Sequence, residues 1–111
     1  MTWPEFGKPL PRAPGAFPPL DKWGYILGDE GHVPHWLRVF GDMDAQRLWN
    51  AITAAVIAEP ITFIRDLGPL GQTCRVPIQL TLNNRTATVL TVWQYDYEDA
   101  RPRLVTAYPT T

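Results

Sequence analysis

The stretch "QTCRVPIQLTLNNRTATVLTVWQYDY", residues 72–97, decides the fold. Its apolar side chains Val76, Ile78, Leu80 and Leu82 fall on every second residue, the repeat of a strand with one buried face. Pro77 interrupts that run without an amide hydrogen to donate, which places this part of the strand at a sheet edge or a bulge. Asn83 and Asn84 follow, and asparagine tolerates positive φ at small cost, so the chain turns tightly here. The return run "RTATVLTVWQYDY" (85–97) sets Ala87, Val89, Thr91, Trp93 and Tyr95 against Thr88, Leu90, Val92 and Gln94. Both sets are apolar enough for a central strand.

Working outward, "ITFIRDL" (61–67) is a shorter strand, and after the loop "EDARP" (98–102) the segment "RLVTAY" (103–108) is the last one. Upstream the period is helical. In "MDAQRLWNAITAAVIA" (43–58), Leu48, Ile52, Ala55 and Val56 form one apolar face, Asp42 or Asp44 can cap the start, and Pro60 ends the run. In "GHVPHWLRVFG" (31–41), Pro34 suits a first helical position, Val33, Leu37 and Phe40 share a face, and Gly41 stops the helix. The expected fold is α+β, with N-terminal helices packed on a four-stranded antiparallel sheet.

Six prolines within residues 1–20 make that segment extended, either a linker or an arm lying on the surface. Residues 21–111 are then a single α+β domain, a length that can bury a core without disulfides. Cys74 is the sole cysteine, so neither an internal disulfide nor a cysteine-based zinc site can form, and two histidines add little toward a metal centre. No metal and no cofactor is expected. Ten basic against eleven acidic residues leave a net charge of -1, so nucleic acid could be held only by a local basic patch. The start lacks the pattern of a signal peptide, and no apolar stretch approaches the ~18 residues of a membrane helix. The chain is expected to be soluble.

Four groups of side chains carry chemistry. His32, His35 and Arg38 are spaced by three, so on a continuous helix they lie near one side. A histidine near a helix start is held neutral by the positive end of the dipole, as a general base requires, and an arginine one turn on can hold a phosphate. Strand periodicity puts Leu104, Thr106 and Tyr108 on one face of the last strand and Arg103, Val105 and Ala107 on the other. Thr106 and Tyr108 can then donate hydroxyls to one bound group, while Arg101 and Arg103 form a basic spot at the strand entrance. Trp93, Tyr95 and Tyr97, at alternate positions, can stack on a base. Each has a plain structural counterpart: solvated histidines, strand-forming side chains, a salt bridge from Arg103 to Asp96, Glu98 or Asp99, and core packing of Trp93.

Two segments, "YILGDEGHVPHWLRVFG" (25–41) and above all "PRLVTAYP" (102–109), resemble ribonuclease toxin domains of the barnase, EndoU, colicin and RelE superfamily. The resemblance covers roughly residues 22–109. It implies helices before a four-stranded antiparallel sheet and metal-independent RNA cleavage by 2′-hydroxyl attack on the adjacent phosphate. His32 or His35 would be base or acid, Arg38 or Arg103 would hold the phosphate, and Thr106 and Tyr108 would bind or orient it. The implied partners are an RNA, such as tRNA, and a cognate immunity protein. Where the family usually has a lysine after the histidine segment, this chain has His35 or Trp36. The group is therefore substituted, or the chain is an inactive copy of the toxin fold. A non-enzymatic module that engages a protein through its aromatic arm and sheet edge is the alternative.

Overall fold

Residues 3–18, 39–41 and 44–110 are described by a computed structural model of the chain. Helix α1, Ala45–Val56, begins at Asp44, whose carboxylate accepts a 2.7 Å hydrogen bond from the Arg47 amide. This satisfies one of the amides that a helix start leaves without a partner. Leu48, Ile52 and Val56 are buried along its inner face, as their spacing requires. The earlier helix expected near Pro34–Phe40 lies mostly outside the described residues, of which Val39 and Phe40 are helical.

Strands β1 (Phe63–Asp66), β2 (Gln72–Leu82), β3 (Arg85–Tyr95) and β4 (Arg103–Pro109) form one antiparallel sheet in the order β1-β2-β3-β4. The β2–β3 turn is two residues long, with φ of 53° at Asn83 and 62° at Asn84. Two successive positive φ values match the twist of a hairpin and set Leu82 against Arg85, Val76 against Thr91 and Arg75 against Val92. At the other end of β2, Gly71 has φ of 96°, and a Cβ there would fall 1.9 Å from the Tyr95 carbonyl oxygen. Only glycine fits.

One face of the sheet packs on α1 and carries the core: Cys74, Val76, Ile78 and Leu80 from β2, Val89, Thr91 and Trp93 from β3, and Leu104 and Ala107 from β4. Thr91 is the polar member of that layer. Its hydroxyl donates to the Val76 carbonyl at 2.7 Å and accepts from the Trp93 indole N–H at 2.8 Å, so neither group is left unpaired. No described helix is long and apolar enough to cross a membrane.

The proline-rich start is an arm, not a free linker, over its described length. Gly7 donates to the Ile61 carbonyl and the Ile61 amide to Lys8, while Leu10 and Ala13 are buried in the core cluster. Further on, the Arg12 Nε donates to the Ala100 carbonyl at 2.7 Å. Phe17 then pairs with the start of β4, donating to Pro102 and accepting from Leu104. The path is not extended throughout as expected: Gly7 takes a φ of 81° in one turn, and Arg12, at φ 59°, leads into a single 3-10 turn at Ala13–Gly15. Prolines suit the stretches between, because they have no amide to leave unpaired.

Proline also marks both sheet margins. The Thr62 amide donates to the Arg75 carbonyl, and alternate residues of an antiparallel strand bond to the same side. Pro77 therefore turns its missing donor toward the β1 side, beyond the last β1 pair at Arg75. By the same alternation, counted from the Thr110 amide bonded to Thr88, Pro109 turns away from β3 at the outer margin of β4. An edge without a donor is a poor template for another strand.

Candidate functional site

The residues of β4 reach their faces through a β-bulge. Val92 pairs with Thr106, but the next residue, Trp93, pairs with Leu104, so Val105 is an extra residue with no counterpart on β3. The extra residue inverts the alternation. Leu104, Ala107 and Pro109 are buried on the α1 side, whereas Thr106 and Tyr108 pair with Val92 and Leu90 on the opposite face. The expected sorting, with Leu104 beside Thr106 and Tyr108, is thus corrected: one unpaired residue separates them. Thr106 and Tyr108 do share a face, and it is the one away from α1.

That second face is ordered in rows across the strands. Phe63, Arg75, Val92 and Thr106 form one row, Pro77, Leu90 and Tyr108 the row beside it on one side, and Arg65, Thr73, Gln94 and Arg103 the row on the other. Thr73 donates to the Gln94 side-chain oxygen at 2.8 Å, and Gln94 donates to the Leu70 carbonyl at 2.8 Å, which fixes the last of these rows. Thr106 Oγ1 is shielded from solvent yet has no hydrogen-bond partner among the described residues. A buried hydroxyl left without a partner costs about 1–3 kcal/mol, a cost that a bound acceptor can remove.

Arg103 is held by Asp96 through two 3.1 Å hydrogen bonds, from Nε and Nη2. Arg101 instead lies over the Phe17 ring, 4.0 Å from its centre. Arg75 sits 4.8 Å over the Phe63 ring and forms no ion pair or hydrogen bond through its guanidinium among the described residues. Neither Arg75 nor Phe63 stands out in the sequence as a site residue. The two-residue Asn83–Asn84 turn nevertheless sets Arg75 opposite Val92, and period two then places it on the outer face.

Trp93 is corrected outright. Its side chain is fully buried, its N–H is used by Thr91, and its ring meets Trp49 at 6.2 Å in the core. A base cannot stack on it. Tyr95 is buried as well, and of this aromatic series only Tyr97, 67% exposed, faces solvent. His32, His35 and Arg38 lie outside the described residues. Among the described residues no three metal-ligating side chains converge.

Burial pushes the Cys74 thiol up to about 12 and also raises the Tyr95 phenol above its ordinary value. Cys74 is fully buried among core side chains and is no nucleophile at neutral pH.

The model of one family, a domain of unknown function designated DUF6883, matches residues 36–111, more than half of the chain. The chain belongs to that family. The matched DUF6883 region contains α1, all four strands and the bulge, and it begins after both histidines and after the arm. Neither a curated protein nor a solved structure matches the chain.

Proposed function

We propose that this DUF6883 domain is a toxin-type endoribonuclease that cleaves RNA without a metal ion. The 2′-hydroxyl attacks the adjacent phosphorus, the bond to the 5′-oxygen breaks, and the products are a 2′,3′-cyclic phosphate and a free 5′-hydroxyl. One of His32 and His35 takes the 2′-hydroxyl proton, and the other, protonated beforehand, gives its proton to the leaving 5′-oxygen. Thr106 and Tyr108 donate hydrogen bonds to the phosphate, and Arg103 and Arg38 offset its charge. The observation that carries this proposal is the Val105 bulge, which turns the Thr106 and Tyr108 hydroxyls together onto the face that α1 leaves uncovered. The unpartnered Thr106 Oγ1 supports it further.

A cellular RNA such as tRNA is the proposed substrate, and an immunity protein that covers the same face is the proposed partner. In the non-enzymatic alternative a protein partner engages the aromatic arm and the sheet edge, and the arm would offer it Phe6, 72% exposed, and the ring of Phe17, 42% exposed. Leu10 and Ala13 are committed to the core, and the Phe17 backbone is already paired with the start of β4.

Incubation of purified protein with tRNA in EDTA, with end analysis, tests the proposal. Cyclic phosphate ends are expected, and they should disappear in His35→Ala and Thr106→Ala variants that keep the wild-type circular dichroism. Intact RNA at high protein concentration would sink it. Expression in bacteria without any growth defect, together with a stable protein partner, would favour a binding module instead.

A further inference from the structure

The row Phe63–Arg75–Val92–Thr106 crosses all four strands on one face and has a hydroxyl at one end and a guanidinium stacked on an aromatic ring at the other. We infer that this row is the track for a single-stranded RNA substrate, with Arg75 holding a phosphate beside the scissile one and Phe63 supporting an unstacked base. This inference rests on the ribonuclease proposal and extends it to the form of the substrate and its path across the sheet.

Three observations carry it. First, Arg75 is charged, exposed and without an acceptor among the described residues, and an arginine over a ring keeps its N–H edges available for a phosphate. Second, among the described residues the second face presents Arg65, Arg75 and Arg103 against Asp96, which Arg103 already engages, a local positive excess on a chain whose net charge is -1. Third, adjacent strands lie about 5 Å apart, which puts the Arg75 backbone about 10 Å from that of Thr106. The Arg75 guanidinium is drawn over Phe63 on β1, away from Thr106 on β4, so successive phosphates of one strand, rather than a single phosphate, meet the two residues. Phe63 remains 43% exposed despite the guanidinium above it, enough for a base to stack on the ring or its edge. A duplex offers neither unstacked bases nor a backbone that can lie flat across a sheet, so the face selects single strands.

The test uses the full chain and a fluorescent 2′-O-methylated 12-mer, which lacks the attacking hydroxyl and cannot be cut, with anisotropy read across a salt series. Arg75→Ala should weaken binding about tenfold and reduce the slope of log affinity against log salt by about 0.7, the value for one phosphate on a single strand. Phe63→Ala should weaken binding about five- to tenfold with the slope unchanged, since stacking releases no counterion. Arg75→Lys should restore the slope but only part of the affinity. Arg85→Ala, at the hairpin tip, should stay within about twofold of wild type. Wild-type affinity and slope in Arg75→Ala, or equal binding of a duplex, would overturn the track and leave the ribonuclease proposal standing. Arginine-dependent binding with no cleavage of unmodified RNA would do the reverse. Failure of the wild-type chain to bind the strand at low salt overturns the track whatever the cleavage assay returns.

Discussion

The phenolic hydroxyl of Tyr95 donates a 2.7 Å hydrogen bond to the Pro11 carbonyl oxygen, joining residues 84 positions apart in the chain. Tyr95 is buried at the end of β3, and Pro11 sits between the core residues Leu10 and Ala13, so the bond ties the arm to the sheet. The Arg12 guanidinium, 5.7 Å over the Tyr95 ring, adds to the same junction.

The arm should therefore contribute to stability as core does. Leu10→Ala is expected to cost about 2–5 kcal/mol and Tyr95→Phe about 1–2 kcal/mol in urea unfolding, the second by leaving the part-buried Pro11 carbonyl unpaired. A freely moving linker would show no change for Leu10→Ala.

Deleting Val105 should be severe although its side chain is only half-buried. Without the extra residue, regular alternation either turns Leu104 out of the core or carries Thr106 and Tyr108 into it. A loss above about 3 kcal/mol is expected, because either a large apolar side chain is exposed or polar groups are buried. Val105→Ala keeps the bulge and should cost far less. Equal stability of the two variants in thermal unfolding would argue against the bulge as the sorting device.

Asp96→Asn should act on binding more than on folding. The Arg103–Asp96 pair has side chains 45% and 51% exposed, and such pairs are worth about 0–1 kcal/mol. Released from the carboxylate, Arg103 is free to meet a phosphate, so affinity for a single-stranded RNA should rise about three- to fivefold and the salt slope should steepen. Unchanged affinity would show that Arg103 serves the sheet rather than a ligand.

Alkaline pH should destabilise the protein. The unfolded Cys74 thiol ionises near 9.0, while the folded one holds its proton to about 12. Across that window the folded state binds more protons than the unfolded state, so stability is complete below 9.0 and falls as pH rises, by at most about 1.4 kcal/mol per pH unit for one group. The raised Tyr95 phenol acts in the same direction. Cys74→Ala should flatten the decline between pH 9 and 11 in urea titrations. In the native protein the thiol should react with an aromatic disulfide only at the rate of unfolding.

Thr91→Val removes the hydroxyl that serves both the Trp93 indole and the Val76 carbonyl. About 1–3 kcal/mol should be lost, because a buried N–H is left unpaired, with no effect on RNA affinity. Trp93→Phe should likewise lower the melting temperature and leave affinity alone. A selective loss of affinity would return Trp93 to the binding surface.

Much of the frame follows from local rules. The spacing of Leu48, Ile52 and Val56, the Asp44 cap and the two positive φ values at Asn83 and Asn84 depend on a few neighbouring residues, and each was legible. Where to place Trp93 was not. Both faces of β3 are apolar, so period two separates two sets of side chains but cannot say which set meets the helix.

By itself, then, the sequence determined an α+β chain with a capped helix, a tight asparagine hairpin and four antiparallel strands. Periodicity and turn chemistry act over one to four residues and need no distant partner. Three features came only from tertiary structure: the arm seated on Tyr95, the burial of Trp93, and the arrival of Thr106 and Tyr108 on the face opposite Leu104. The last depends on Val105 being left without a partner on β3, and a missing partner is a property of two strands in register that neither strand carries alone.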